Sequence, residues 1–319
     1  MTSNLMIGSF EVTEKAIRQC KLFNLLGQML YPMRDIEVHL LQVIDYLLDT
    51  VRYYLEAIRQ TPSDIEQEFI EFFRGIGPML EQYLTTHKSQ ECRLLWFCSE
   101  YTQLSDSAIE IVMDYLPLTS VIMEYLSQQD DPALFVAAVR LVGNIITSPN
   151  VVYVENFFKN GLIESLTIGW QRYGALESVD LAKEITWILS NIVASHSVTM
   201  TQAIIDNRYI SEKLREMLSL DYNIDFKTRR EVLILLRNMV AGYSIDICYR
   251  LVYQSNLLAQ LVPLMTMDES HLQQPIIYIE SLEIVRHLLE KETAVGSREF
   301  YLHLEKLGGV DAIEQLQVH

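Results

Sequence analysis

Three asparagines, Asn144, Asn191 and Asn238, follow one another at intervals of 47 residues, in the strings GNIITS, SNIVAS and RNMVAG. Each closes an apolar helical run. A side-chain amide carries both donors and an acceptor, so a row of them holds the main chain of an extended peptide whatever its sequence. Trp187 precedes Asn191 by four residues, which places both on one face of a helix. An indole face there makes a slot for the aliphatic stem of Lys or Arg, with the cation over the ring worth about 0.5–2 kcal/mol. The competing structural reading needs buried partners for each amide, because asparagine is unfavourable in mid-helix. The chemistry on offer is recognition. Seven scattered histidines show no metal-ligand spacing, and Cys20, Cys92, Cys98 and Cys248 form no CxxC pair. No GxSxG elbow, phosphate loop or dinucleotide fingerprint is present, so neither an enzyme nor a cofactor or metal site is expected.

The elements that position these residues read as helices almost throughout. Residues 182–194, AKEITWILSNIVA, place Ile185, Ile188, Leu189, Ile192 and Val193 at helical spacing and form a buried face. Similar runs occupy 132–148, 228–242 and 276–292. The same frame reaches Glu100 before Asn144 and Arg286 after Asn238. Between rungs the order is short, medium and long helix, as in SVTMTQAIIDN, SEKLREMLSLD and the run 226–240. Three helices per unit of about 44–48 residues mark an armadillo array, where a HEAT unit has two; each unit buries its apolar face only by stacking on its neighbours. The expected fold is therefore an all-α, right-handed armadillo-repeat superhelical solenoid, continuous over the chain. Residues 91–319 form its regular repeats, and 1–90, which do not continue the register, a divergent N-terminal set of helical repeats or cap.

Composition agrees. Half of the 319 residues are hydrophobic, enough for a substantial core, while only 12 glycines and 8 prolines leave little for strand-rich folds. A net charge of −17 repels phosphates, and the one adjacent basic pair, Arg229-Arg230 with Lys227 beside it, is the sole local exception, so a nucleic-acid partner is not expected. The acidity points to a cationic partner. Glu11 and Glu14 stand where a secretory leader needs an apolar run, and the longest uncharged stretch, 185–205, is too polar for a membrane span. An intracellular protein of cytoplasm, nucleus or both is expected.

The repeat cores resemble importin alpha, the adaptor family that recognises nuclear localisation signals. AVRLVGNIITS is similar to that family's repeat built on Arg and Val-Gly-Asn, AKEITWILSNIVAS to its Lys-Glu-x-x-Trp-x-x-Ser-Asn repeat, TRREVLILLRNMVAG to the next, and HLEKLGGVDAIEQLQVH to its last. The resemblance runs from about residue 92 to the end and implies nuclear import through the minor signal-binding groove. It assigns peptide contacts to Trp96, to Arg140 and Asn144, to Lys183, Glu184, Trp187 and Asn191, and to Glu231 and Asn238, with the carboxylates selecting a basic extended peptide. Two positions depart: Ile234 stands where the family has its third-repeat tryptophan, and Glu100 where it has a polar aromatic. The basic segment that binds importin beta has no counterpart, so that partner is not expected. The alternative to an import adaptor is a structural subunit that reuses the solenoid to dock in a larger assembly.

Overall fold

The computed structural model describes Glu71, Arg74 and residues 91–317, apart from 116–117, 129–130, 175–180, 196, 223 and 267–274. The expectations for the N-terminal 90 residues, Cys20 included, therefore lie outside the described residues. Within them every regular element is a helix. No helix among the described residues is long and apolar enough to cross a membrane. The chain divides into two compact units, Met1–Leu162 and Ile163–His319.

In the first unit, α1 (Glu91–Thr102) packs on α2 (Asp106–Tyr115) and against α4 (Pro132–Ile146), which in turn packs on α3 (Leu118–Gln128) and α5 (Val151–Lys159). The longest partnership is between α1 and α4, two helices in the third position of successive repeats. Leu94, Leu95, Phe97 and Cys98 of α1 and Ala138, Val139, Leu141 and Val142 of α4 are all fully buried. Each large side chain in such a core is worth about 1.5–3 kcal/mol. Asp131 starts α4 by accepting from the amides of Ala133 and Leu134 at 2.9 and 3.3 Å, with Pro132 at the first helical position.

The second unit opens with α6 (Leu162–Tyr173) and α7 (Leu181–Ala194). It continues through α8 (Val198–Asp206), α9 (Arg208–Leu218) and α10 (Phe226–Gly242). After α11 (Ile245–Tyr249) one π turn, Arg250–Gln254, leads to α12 (Leu257–Met265) and α13 (Pro275–Ala294), and α14 (Glu299–Lys306) and α15 (Gly309–Gln317) end it. The third-position helices α7, α10 and α13 pack side by side, α7 on α10 and α10 on α13.

Punctuation between helices repeats with the same period as the asparagines. Asn150, Ser197 and Ser244 precede α5, α8 and α11, and the first two accept from helical amides at 3.2 and 3.4 Å. Asn207 ends α8 and begins α9, its oxygen accepting from Ile210 N at 3.1 Å while its amide donates to Thr167 at 2.9 Å. At the equivalent junction before α12 stands Asn256, with φ 57°, a left-handed conformation that asparagine tolerates better than other side-chain-bearing residues. A side chain also caps across helices. Buried Glu292 of α13 accepts from the amides of Phe300 and Tyr301, supplying the first turn of α14 with partners it lacks internally.

Candidate peptide-binding face

In the second unit the third-position helices align their half-buried and exposed residues in rows. On α7, Lys183, Trp187 and Asn191 are half-buried and four residues apart, which places them one above another on a single face. On α10 the residues 47 further on, Arg230, Ile234 and Asn238, repeat the line with Arg230 exposed and the other two half-buried. The packed pair thus carries a row of cations, a row of large apolar side chains and a row of amides. Lys227, one turn before Arg230, is exposed and extends the cationic row.

The amide row is held from below. Asn238 donates through Nδ2 to Ser190 Oγ of α7 at 3.1 Å, which fixes the amide plane and leaves Oδ1 with no partner among the described residues. Tyr243 Oη donates to Val193 O at 2.6 Å, and Lys291 Nζ donates to Tyr243 O at 2.6 Å. Arg237 reaches buried Glu280 at 2.6 Å. These bonds run between consecutive third-position helices and set their register. A rigid support of this kind is what lets surface amides bind without first being ordered.

The carboxylates assigned to charge selection do not sit alike. Glu184 is 6% exposed, so it lies beneath the face, and the residue that reaches the face is its neighbour Lys183. Glu231 is half-buried beside exposed Arg230. Successive helical residues differ by about 100° around the axis, so on α7 a one-residue step exchanges buried Glu184 for half-buried Lys183. Of the two carboxylates assigned to charge selection, Glu184 is buried and Glu231 is half-buried. On α13 the rung position is Arg286, whose guanidinium bridges Glu283 and Glu290 at 2.5 and 2.6 Å; these carboxylates hold its pKa well above the usual arginine value. The amide row therefore spans α7 and α10.

Arg229 differs from both its basic neighbours. It turns away from the row and donates to the carbonyls of Met217, Ser219 and Tyr222 at 3.2, 3.1 and 3.0 Å, closing the loop before α10. Asp225 caps α10 through Lys227 N at 2.8 Å and Thr228 N at 3.1 Å. Burial alone would raise the pKa of that carboxyl, but the Thr228 hydroxyl, the two amides and the charge of Lys183 outweigh it and hold the pKa below the usual aspartate value.

In the first unit, α1 and α4 carry the remaining assigned residues. Trp96 and Arg140 are half-buried on their faces. Glu100 is half-buried as well. Asn144 is only 6% exposed. Its Nδ2 lies 2.8 Å from Ser99 O, 3.1 Å from Ser99 Oγ and 3.3 Å from Thr102 Oγ1. The open surface expected of all three asparagines is thus absent at Asn144, whose amide is spent on tying α4 to the end of α1. Trp170, by contrast, is a packing residue, 3% exposed and edge-on to Tyr209.

An apolar cleft among α8, α9, α10 and α12, lined by Ile204, Leu214, Leu218, Leu236, Leu251 and Leu257, contains no pair of groups suited to acid–base or nucleophilic chemistry.

No family model matches the chain, and no curated protein matches it in sequence. Solved structures do. An engineered protein is 19% identical with a TM-score of 0.66, over 100% of this chain and 79% of its own. A computationally designed armadillo repeat protein for modular peptide recognition is 19% identical with a TM-score of 0.61, over 76% of this chain and 92% of its own. A designed armadillo repeat protein in complex with the peptide (KR)4 is 16% identical with a TM-score of 0.61, over 82% of this chain and 99% of its own. The all-α three-helix repeats of this chain adopt the armadillo-repeat fold.

Proposed function

We propose that this chain is a peptide-binding armadillo module that holds an extended segment of a partner protein across α7 and α10. One observation carries the reading: Trp187 and Asn191 recur in register as Ile234 and Asn238 on adjacent packed helices, with the Asn238 amide oriented by Ser190. The amides take the main chain, and the indole and Ile234 take side-chain stems. A designed neighbour in complex with the peptide (KR)4 supports such a use of this fold. The resemblance to importin alpha adds a finer suggestion, a basic signal-like segment and a role in nuclear import. Trp187, with Glu231 on the next helix, speaks for it; buried Glu184 and the exposed Lys227 and Arg230 speak against it. We therefore read the module as a binder of extended segments.

Display of random ten-residue peptides tests this. The wild-type chain is expected to enrich a set of extended sequences, and Asn191→Ala/Asn238→Ala, folded by circular dichroism, to enrich none of them. No enrichment by the wild type, or equal enrichment by the double variant, would refute the reading.

A further inference from the structure

Charge does not select on the face that the third-position helices share. The helices α7, α10 and α13, with the Asp225 cap of α10, carry equal numbers of basic and acidic residues, so the chain's net charge of −17 resides elsewhere. Most of these charges are answered within the fold. Lys183 acts on the Asp225 carboxylate, Arg229 is consumed by three loop carbonyls, Arg237 is held by Glu280, and Arg286 by Glu283 and Glu290. Exposed Lys227 and Arg230 form only solvent-screened pairs with a ligand, which discriminate weakly.

Apolar side chains, in contrast, continue through all three helices. Trp187 of α7, Ile234 of α10 and Leu282 of α13 follow one another at 47 and 48 residues, and all three are half-buried. The offset of 48 is also that between Tyr243 and Lys291, whose hydrogen bond ties α10 to α13, so Leu282 lies in the row beside Ile234. Ile279, three residues before Leu282 and thus on the same face of α13, is 51% exposed. Its counterpart on α10 is Glu231, so the aliphatic surface widens on α13. Ile234 and Leu282 have no ring face to hold a cation, and what they offer is aliphatic area. The amide row ends at α10, whereas the apolar row runs one helix further.

We propose that the segment bound across α7 and α10 is recognised through its apolar side chains: large aliphatic residues at alternate positions seat on Trp187, Ile234 and the Leu282–Ile279 pair, while the main chain rests on Asn191 and Asn238. This rests on the peptide-binding reading above and names its substrate class, an aliphatic-rich extended segment that reaches α13. An extended chain sends alternate side chains to one side, so a single apolar edge meets the whole row. The main chain finds its partners on the two amides, and the intervening residues face away. Covering the row stabilises the complex in proportion to the apolar area removed from water, a contribution that charge screening by salt does not remove.

The test is a fluorescence titration of the full chain with labelled ten-residue serine peptides that carry three leucines, alanines, lysines or glutamates at alternate positions, in about 0.05 and 0.5 M salt. The leucine peptide is expected to bind at least about tenfold tighter than the alanine peptide at both salt concentrations, since each buried methylene group contributes a factor of about four. Ile279→Ser/Leu282→Ser should weaken the leucine peptide by about threefold or more and leave the alanine peptide unchanged. Ile279→Ser alone, at an exposed position that leaves the fold intact, should produce part of that loss. Equal binding of the leucine and alanine peptides, or tighter binding of the lysine or glutamate peptide at the higher salt, would overturn the apolar assignment while leaving peptide binding standing. Leucine binding indifferent to both α13 variants would overturn it in the same way. Saturable binding of none of the four peptides would remove the peptide-binding reading itself, and the apolar assignment with it.

Discussion

Asn144 and Asn238 occupy the same repeat position, yet alanine substitutions should affect them very differently. Asn144 has two amide hydrogens aimed at the end of α1, the shorter bond 2.8 Å long, in a site that is 6% exposed. At about 1 kcal/mol net for each buried bond, Asn144→Ala should cost about 2 kcal/mol. The loss is no larger because Ser99 O keeps the 2.8 Å bond from the Thr102 hydroxyl. Asn238 is half-buried and makes a single bond at 3.1 Å, which water can replace, so Asn238→Ala should cost about 0.5 kcal/mol. Urea unfolding followed by circular dichroism at constant slope measures both. An Asn144→Ala variant within about 0.5 kcal/mol of wild type, or an Asn238→Ala variant equally destabilised, would refute the division between a structural rung and a binding rung.

Further perturbations have equally definite outcomes. Glu292→Ala should destabilise α14 by about 2 kcal/mol through loss of a buried cap, seen as faster hydrogen exchange at Phe300 and Tyr301; unchanged protection there would contradict the capping role. Burial pushes the Cys98 thiol up from 9.0 to about 12 and Cys248 up to about 11, so both should resist alkylation in the native protein at pH 8. Their neutral forms support the fold fully below pH 9, and this support should fall as the pH rises toward 12, because the unfolded thiols then lose protons that the folded ones keep. Cys98→Ala should flatten part of that alkaline decline, and an unchanged decline in both Cys→Ala variants would refute the assignment. Trp187→Ala should leave the thermal midpoint within a few degrees of wild type while weakening peptide binding, since the ring is only half-buried; a large loss of stability would make it a core residue instead.

The sequence makes the repeat legible because helix period, caps and breaks recur together. The 47-residue frame of Asn144, Asn191 and Asn238 is also the frame of the helix starts after Asn150, Ser197 and Ser244, so packing and punctuation agree. The site was legible only to within one residue around each helix. Glu184 and Lys183, or Glu231 and Arg230, are neighbours in sequence, and an apolar stripe wide enough to bury a helix does not say which of two adjacent charges lies at its edge. Packing decides it, burying Glu184 and leaving Arg230 exposed. Nor could periodicity separate Asn144 from Asn238. Their difference lies in the neighbouring helix, where Ser99 and Thr102 offer buried acceptors to one and Ser190 a single hydroxyl to the other.

Site-specific photocrosslinking tests the account most directly. With Ile234 replaced by p-benzoylphenylalanine, light should join the chain to a bound extended peptide, because Ile234 lies between the Arg230 and Asn238 rows. The same label at exposed Val198, at the start of α8, should capture none. Capture at Val198, or none at Ile234 while solution binding saturates, would contradict a peptide held across α7 and α10.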